Sequence, residues 1–292
     1  MVQAINPVNY PLALIYKIDK QEIDRINFEL CQQPKETLEA FYKRQTVKPD
    51  FLFNGGFFNM ENGNTVFTYV DEGKEINIVK NYLRGIGIKN GELIIGTYDK
   101  SYTDFVTGYP VLVEKGKVVD TTTASEINGD AKRTILGYDD KYVYLIFIND
   151  PGYGFSKVRS MLLDLDIPNA VNLDGGGSMR LLKGGQKILG SAWSRPVDNV
   201  VEIFLKKEQP KILYRVQLGA FAYLENAVKY KEKVQQIKDD KNYGYKNAFV
   251  TQVGTMYKVQ VGAFSVKANA EKLVTDLKSK GYNSFITQVT IS

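Results

Sequence analysis

Tyr214-Arg215-Val216-Gln217-Leu218-Gly219-Ala220-Phe221 returns later in the chain as Tyr257-Lys258-Val259-Gln260-Val261-Gly262-Ala263-Phe264. Alternation along a strand puts Val216 and Leu218 on one face and Arg215, Gln217 and Gly219 on the other. The second copy divides in the same way, Val259 and Val261 against Lys258, Gln260 and Gly262. A helical pattern follows each copy. Ala270, Leu273, Val274 and Leu277 fall at i, i+3, i+4 and i+7, and Leu224, Ala227, Val228, Val234 and Ile237 form the matching stripe. A second strand closes each half, NAFVTQV and then NSFITQV. The order is strand, helix, strand, strand, helix, strand. Neither half can bury its own apolar face, so the expectation is a four-stranded sheet with both helices on the aliphatic side. The opposite face is expected to present Arg215, Gln217, Lys258 and Gln260, with Phe221 and Phe264 close by. That arrangement suits a polar polymer, and it equally fits a plain solvated sheet face.

Upstream, the polar segment Lys206–Lys211, with Pro210, reads as a linker. Residues 1–205 read mostly as strand: LALIYKI, FLFNGGFF, ELIIGTY, YPVLVE, YVYLIFI and VVEIFL, separated by turn signals such as Asn90-Gly91, Glu114-Lys115-Gly116 and Asp139-Asp140. Two helices interrupt, one near Thr37–Lys43. The other spans Gly154–Leu165, where Phe155, Val158, Met161, Leu162 and Leu165 have helical spacing and Pro168 argues for a stop. The fold class is therefore α+β: a mixed, strand-rich large domain over 1–205, a linker over 206–211, and a small βαββαβ ferredoxin-like domain over 212–292.

The composition narrows the chemistry. The 292 residues contain no histidine and one cysteine, Cys31. A Ser-His-Asp triad, a histidine-type zinc site and a histidine general base are excluded, and no internal disulfide is possible. Cys31 lacks a histidine base and reads as a part-buried thiol. Catalysis must use carboxylates, amides, hydroxyls, Arg, Lys or Tyr. The net charge is +5, from 38 basic and 33 acidic residues. That mild bias favours an anionic polymer without specifying one. The first residues, MVQAINPVNYPLALIYKID, lack a cationic segment followed by a long apolar run, and no stretch has the length of a membrane span. A chain without a signal that works outside the cell is expected to be phage-encoded, released at lysis, or a trimmed secreted protein.

Two glycine-rich motifs stand out, Phe53-Asn54-Gly55-Gly56-Phe57-Phe58-Asn59 and Val171-Asn172-Leu173-Asp174-Gly175-Gly176-Gly177-Ser178. Each is a strand ending in glycines. Such a sequence allows positive φ and close backbone approach to a ligand, and its successive amides can form an anion nest. Neither matches the phosphate loop or the dinucleotide motif. Arg133 and Arg195 are the natural bidentate anion ligands, in Arg133-Thr134 and Arg195-Pro196-Val197-Asp198-Asn199.

Residues 45–205 resemble the phosphodiester glycosidase family, the group containing the enzyme that uncovers mannose 6-phosphate by removing N-acetylglucosamine. NLDGGGS at 172–178 is the most specific match, supported by NGGFF at 54–58, GYPVLV at 108–113, RTILG at 133–137 and RPVDN at 195–199. Two departures are the proline in Asn149-Asp150-Pro151-Gly152 and the bulky residues in Ser178-Met179-Arg180. The resemblance implies cleavage of a sugar-1-phosphodiester at the anomeric C–O bond. A phosphate monoester leaves readily, so anion stabilisation and one carboxylate matter more than a strong general acid. It assigns Asp174 as that carboxylate, Asp198 as a second, and Asn54 as a ligand of sugar or phosphate. Arg133, Arg195, Gly55, Gly56, Gly175, Gly176, Gly177 and Ser178 would hold the phosphate and sugar. No cofactor is required. A divalent cation on Asp174 and Asp198 is conceivable, but no loop of alternating carboxylates supports it.

The repeated octapeptide in a βαββαβ unit resembles a SPOR domain over 212–290. This implies binding to peptidoglycan glycan strands, preferably those lacking stem peptides, through Arg215, Gln217, Lys258, Gln260, Phe221 and Phe264. RNA-binding domains share the topology, but the aromatic run expected on their third strand is replaced by YKVQVGAF. The expected partners are peptidoglycan and a sugar-phosphate substrate, for example in teichoic acid, with no nucleic acid and no membrane. The rival readings are a peptidoglycan glycosidase or phage lysin with paired carboxylates, a non-catalytic wall-binding protein, and a nucleic-acid binder.

Overall fold

The computed structural model describes residues 2–32, 35–119, 129–207 and 211–291; within the stretch read as the linker, residues 208–210 lie outside the described residues. The chain forms two compact units, Met1–Lys206 and Lys207–Ser292. Strands dominate, as the α+β expectation requires.

In the large unit the first elements are β1 (Val2–Ile5), β2 (Ala13–Asp19), β3 (Ile23–Leu30), α1 (Leu38–Arg44) and β4 (Phe51–Asn54). Five strands follow, two hairpins with a fifth strand inserted between them: β5 (Tyr69–Asp71), β6 (Lys74–Asn77), β7 (Arg84–Lys89), β8 (Glu92–Thr97) and β9 (Tyr102–Thr107). Next come β10 (Val111–Glu114), β11 (Lys117–Val118), β12 (Ala131–Tyr138), β13 (Tyr142–Tyr153) and α2 (Phe155–Asp164). The unit ends with β14 (Asn169–Asn172), β15 (Leu181–Lys183), β16 (Gln186–Leu189) and β17 (Asn199–Leu205). They make a seven-stranded sheet in the order β1-β2-β13-β12-β14-β10-β11 and two five-stranded sheets, β16-β15-β4-β17-β3 and β6-β5-β9-β7-β8.

Local chemistry sets these elements. Thr37 caps α1, its Oγ1 accepting from the Ala40 N–H at 3.2 Å. Asn90 and Gly91, at φ 54° and 79°, make the tight turn between β7 and β8 that their sequence announces. α2 stops where Asp166 turns left-handed at φ 52° and the Ile167 N–H donates to the Leu162 carbonyl at 2.9 Å, a Schellman closure before Pro168.

The run YVYLIFI in β13 has no polar alternation because both its faces are buried. Leu145 and Phe147 enter the core shared with Phe51 and Phe53 of β4 and Val201 and Ile203 of β17. The Phe53 and Phe147 rings meet edge-on at 5.7 Å. Tyr144, Ile146 and Ile148 face the other way, under Phe155, Val158, Met161 and Leu162 of α2. The seven-stranded sheet is thereby pinned between two apolar layers, which fixes the strand ends where β12 and β14 meet β4. Cys31 is buried, and burial pushes its thiol pKa well up, so it is inert.

One buried acid has a measurable consequence. Glu202 shares a row with Leu52 and Asn27 and is 1% exposed. Burial, with the neighbouring Glu29, raises its pKa from 4.5 to about 8. The folded protein therefore keeps a proton that the unfolded chain loses above pH 4.5. Stability falls as pH rises from 4.5 to about 8, and the loss is complete above that. Glu202→Gln, whose amide N–H can replace the acid proton toward Glu29, is expected to flatten this slope. At pH 9 it should add roughly 1–3 kcal/mol, the range for relieving an uncompensated buried polar group. Denaturant melts at pH 5 and pH 9 check it; an unchanged slope in the variant would reject the assignment.

The small unit contains β18 (Lys211–Phe221), α3 (Leu224–Gln235), β19 (Phe249–Val253), β20 (Met256–Phe264), α4 (Lys267–Ser279) and β21 (Phe285–Ile291). The sheet order is β19-β20-β18-β21, the pattern expected of βαββαβ. Val216, Leu218 and Val261 pack with Ala270, Leu273 and Leu277 of α4. The face assignment of the repeat needs correction beyond this point. The pairing of β18 with β20 shifts between Tyr214 and Val216, and again between Gln217 and Gly219. Each shift is a β-bulge, and each reverses the alternation that follows it. Gly219 and Gly262 thus lie on the helix side, not the open face. Phe264 packs on the helical core, and the Phe221 ring lies 5.3 Å from that of Tyr230 in α3. Each Phe folds back over its own glycine: a Cβ on Gly262 would stand 2.5 Å from the Phe264 ring, and Gly262 has φ +69°. The two phenylalanines read as glycan contacts therefore turn to the helix side, where each is partly buried. The other face carries Phe249, Gln260, Gln217 and Phe285 in one row across the strands. Arg215 lies over the Phe249 ring at 5.2 Å, and Lys258 pairs with Thr251. Gln217 and Gln260 are recessed, at 5% and 4% exposure, while Phe285 is exposed.

Candidate active site

β14 ends at Asn172, and Asp174 stands beyond it, just before the 3-10 turn Gly176–Ser178. Three strand ends hold it there. The Asp174 N–H donates to the Gly55 carbonyl at 3.0 Å, and the Leu173 N–H to the Thr134 carbonyl at 2.9 Å. The Asn54 Nδ2 donates to the Asp174 carbonyl at 2.5 Å. Asp174, Gly175, Gly176 and Gly177 line a cavity of about 270 Å³ together with Arg133 and Arg195. The two loops and the two arginines read from sequence therefore converge.

Burial raises the Asp174 pKa from 3.8 to about 6 against three opposing influences: the Ser178 hydroxyl, the Gly175 N–H at 2.8 Å from Oδ1, and the Arg195 charge. Arg195 lies flat on Gly177, where an added Cβ would be 2.3 Å from its Nη2. Arg133 is buried, its guanidinium 4.0 Å over the Phe155 ring, with Nε donating to the Tyr153 carbonyl at 3.3 Å and Nη2 to the Gly129 carbonyl at 2.6 Å. Lys132 adds a third cation to the lining. The second carboxyl there, Asp130, accepts from the Gly154 N–H at 2.7 Å. Asp150, beside the unusual proline, is exposed and lies 3.9 Å from Lys132 Nζ.

Several expected roles do not match the geometry. Asn54 is 1% exposed, and its Oδ1 accepts from Thr134 Oγ1 at 2.9 Å and the Arg180 N–H at 3.1 Å. With Nδ2 donating to the Asp174 carbonyl and the side chain buried, Asn54 positions the loop instead of touching ligand. Ser178 is buried behind Asp174 and orients the carboxylate. Gly55 and Gly56 lie beneath the site, with their amides committed to the Asn199 carbonyl and to Asn199 Oδ1 at 3.0 and 2.5 Å. The expected double nest is thus not formed, and of the triple glycine only Gly176 has positive φ, at 54°. Asp198 is 1% exposed, accepts from Thr65 Oγ1 at 2.8 Å, and lines a different cavity with Asn64 and Asn77. The two aspartates do not face one space, which removes the pairing of Asp174 with Asp198 and a cation shared between them. Among the described residues no group of three or more acidic or thiol side chains is placed to hold a metal ion.

Sequence reading passed over Lys132, Asn172 and Phe57, which also line the Asp174 cavity. Asn172 and Phe57 lie within the quoted motifs, and Lys132 adjoins Arg133, so chain proximity was the available signal. Asn172 is 1% exposed, and its Oδ1 has no hydrogen-bond partner among the described residues.

Residues 49–204 match the model of the phosphodiester glycosidase family, and residues 210–288 match that of the SPOR domain. The human N-acetylglucosamine-1-phosphodiester alpha-N-acetylglucosaminidase is 25% identical over 162 residues, 45% of this chain and 31% of that protein. The chain thus spans about a third of the length of the curated relatives it matches. The zebrafish catalytic domain of that name, described as auto-inhibited by its pro-peptide, superposes with TM-score 0.55 at 20% identity, covering 70% of this chain and 81% of that one. A hypothetical protein from Synechocystis gives TM-score 0.57 at 13% identity over 70% and 61%. These two share the fold. With the family model covering the strand ends that build the Asp174 cavity, the chain belongs to the phosphodiester glycosidase family and carries a SPOR domain after it.

Proposed function

We propose that the large unit hydrolyses sugar-1-phosphodiesters of the N-acetylglucosamine type, and that the SPOR domain holds it on peptidoglycan. The carrying observation is a carboxylate with a raised pKa in a small cavity shared with Arg133, Arg195 and Lys132. Asp174 takes a proton from the water that attacks C1. The C1–O bond breaks, the sugar gains the hydroxyl, and the phosphate monoester leaves with the bond electrons. The three cations stabilise charge that grows on this leaving group, so no strong general acid is needed. The name of the human relative supports this choice of substrate. A wall glycopolymer such as teichoic acid fits the combination with a wall-binding unit. Tethering would raise local substrate concentration without new contacts in the cavity.

N-acetylglucosamine 1-(methyl phosphate) and UDP-N-acetylglucosamine should both release free N-acetylglucosamine, while a neutral aryl glycoside of the same sugar should not. Release from neutral glycosides or peptidoglycan alone would replace this reading with that of an ordinary glycosidase. The base must be ionised, so kcat/KM should fall tenfold per pH unit below about pH 6 and level off above it. A pH profile that rises toward acid would instead make Asp174 a proton donor.

A further inference from the structure

A second cavity, of about 390 Å³, is walled by Tyr82 and Tyr109 and edged by Lys80 and Arg84. Packed rings connect it to the Asp174 cavity. Phe57 lines the Asp174 cavity, and its ring lies 5.6 Å from Phe67 and 6.1 Å from Tyr109. Phe67 in turn lies 4.4 Å from Tyr82 and 5.0 Å from Tyr109. The main chain makes the same junction. Asn172, in the lining of the Asp174 cavity, donates through Nδ2 to the Tyr109 carbonyl at 2.8 Å, and the Tyr109 N–H donates to the Asn172 carbonyl at 3.0 Å.

The four rings are each only half-buried, unlike the core rings Phe51 and Phe53 at 0% exposure. A run of rings that stays partly wet between two cavities offers an apolar face beside polar rims. Sugar rings present a C–H face of slight positive polarity, which complements the negative face of an aromatic ring. Charge narrows the ligand further. The lining of the second cavity includes Lys80 and Arg84 and no carboxylate, although Arg84 is ion-paired with Glu114 at 2.5 Å.

We infer that this second cavity binds the next sugar-phosphate unit of a polymeric substrate on the leaving-group side. The sugar stacks on Tyr82 and Tyr109, and the following phosphate lies beside Lys80. This rests on the sugar-1-phosphodiester reading and extends it from a type of bond to a chain of such units.

The test compares N-acetylglucosamine 1-(methyl phosphate) with a short synthetic oligomer of N-acetylglucosamine units joined by 1-phosphodiesters. Wild-type enzyme should favour the oligomer by about tenfold or more in kcat/KM, the worth of one good stacking contact. Tyr82→Ala and Tyr82→Leu should both bring that ratio close to one; the leucine keeps apolar bulk and guards against a folding defect, which melting curves also monitor. Lys80→Ala should reduce the ratio less and remove part of its salt dependence. Equal use of both substrates by wild type, or a ratio that survives both Tyr82 variants, overturns the inference while leaving the reaction assignment intact. If neither substrate is cleaved, the reaction assignment fails and calorimetric titration of the oligomer decides the subsite. Binding weakened about tenfold by Tyr82→Ala supports it. Absent binding, or equal binding by wild type and variant, rejects it.

Discussion

Replacing Asp174 by Asn is expected to lower kcat on the methyl phosphodiester by about 10³-fold, within the range for removing a general base. The substitution keeps the shape of the side chain and an oxygen to accept the Gly175 N–H. It removes only the capacity to take a proton. Stability should move the other way. The folded-state pKa is raised from 3.8 to about 6, so the folded protein holds its proton more tightly than the unfolded chain, and stability falls as pH rises through that window. At pH 7 the buried charge weighs fully against folding, and the neutral amide relieves it. The expected variant is therefore inactive and at least as heat-stable as the parent. Activity within tenfold of wild type would remove Asp174 from the mechanism. Lost activity with a lowered melting point would make its role structural.

Arg195→Ala should reduce kcat/KM by roughly 10²-fold, as expected for losing a preorganised cation at a developing negative charge. A second readout tests the geometry. Arg195 holds the Asp174 pKa down, so its removal should shift the acid limb of the pH profile to higher pH. Arg195→Lys restores the charge without the planar fork that lies on Gly177, and should recover part of the rate. An acid limb that stays in place in Arg195→Ala would mean that the guanidinium does not act on Asp174, whatever happens to the rate.

The convergence of Asp174 with its glycines was legible because strand ends followed by glycine runs are local features, and Arg133 and Arg195 carry the charge such a loop needs. Asp198 was not. It follows Arg195 closely in sequence, yet its side chain turns toward Thr65, so nearness along the chain misled. Asn54 was read for its hydrogen-bonding capacity, which the fold consumes in tying β4 to β12 and the Asp174 loop. The βαββαβ order came from periodicity, and the helix-facing residues followed. The faces of Gly219, Phe221, Gly262 and Phe264 did not, since alternation breaks at a bulge and no residue type marks one unambiguously. The meeting of Phe57, Phe67, Tyr82 and Tyr109 depends on contacts between distant segments that no local pattern reports.

The bulges in β18 and β20 also bear on how such a duplicated unit can change over time. Losing one residue at Gly262 would remove the bulge yet leave Phe264 opposite Tyr214 on the helix side, because Val261, Ala263 and Phe264 would then alternate directly. Gaining one more residue there would reverse the alternation and swing Phe264 toward the open face without changing its identity. The two copies can therefore drift apart in surface chemistry by substitution and tolerate a loss at the bulge, whereas a gain of length inside the octapeptide re-aims its phenylalanine.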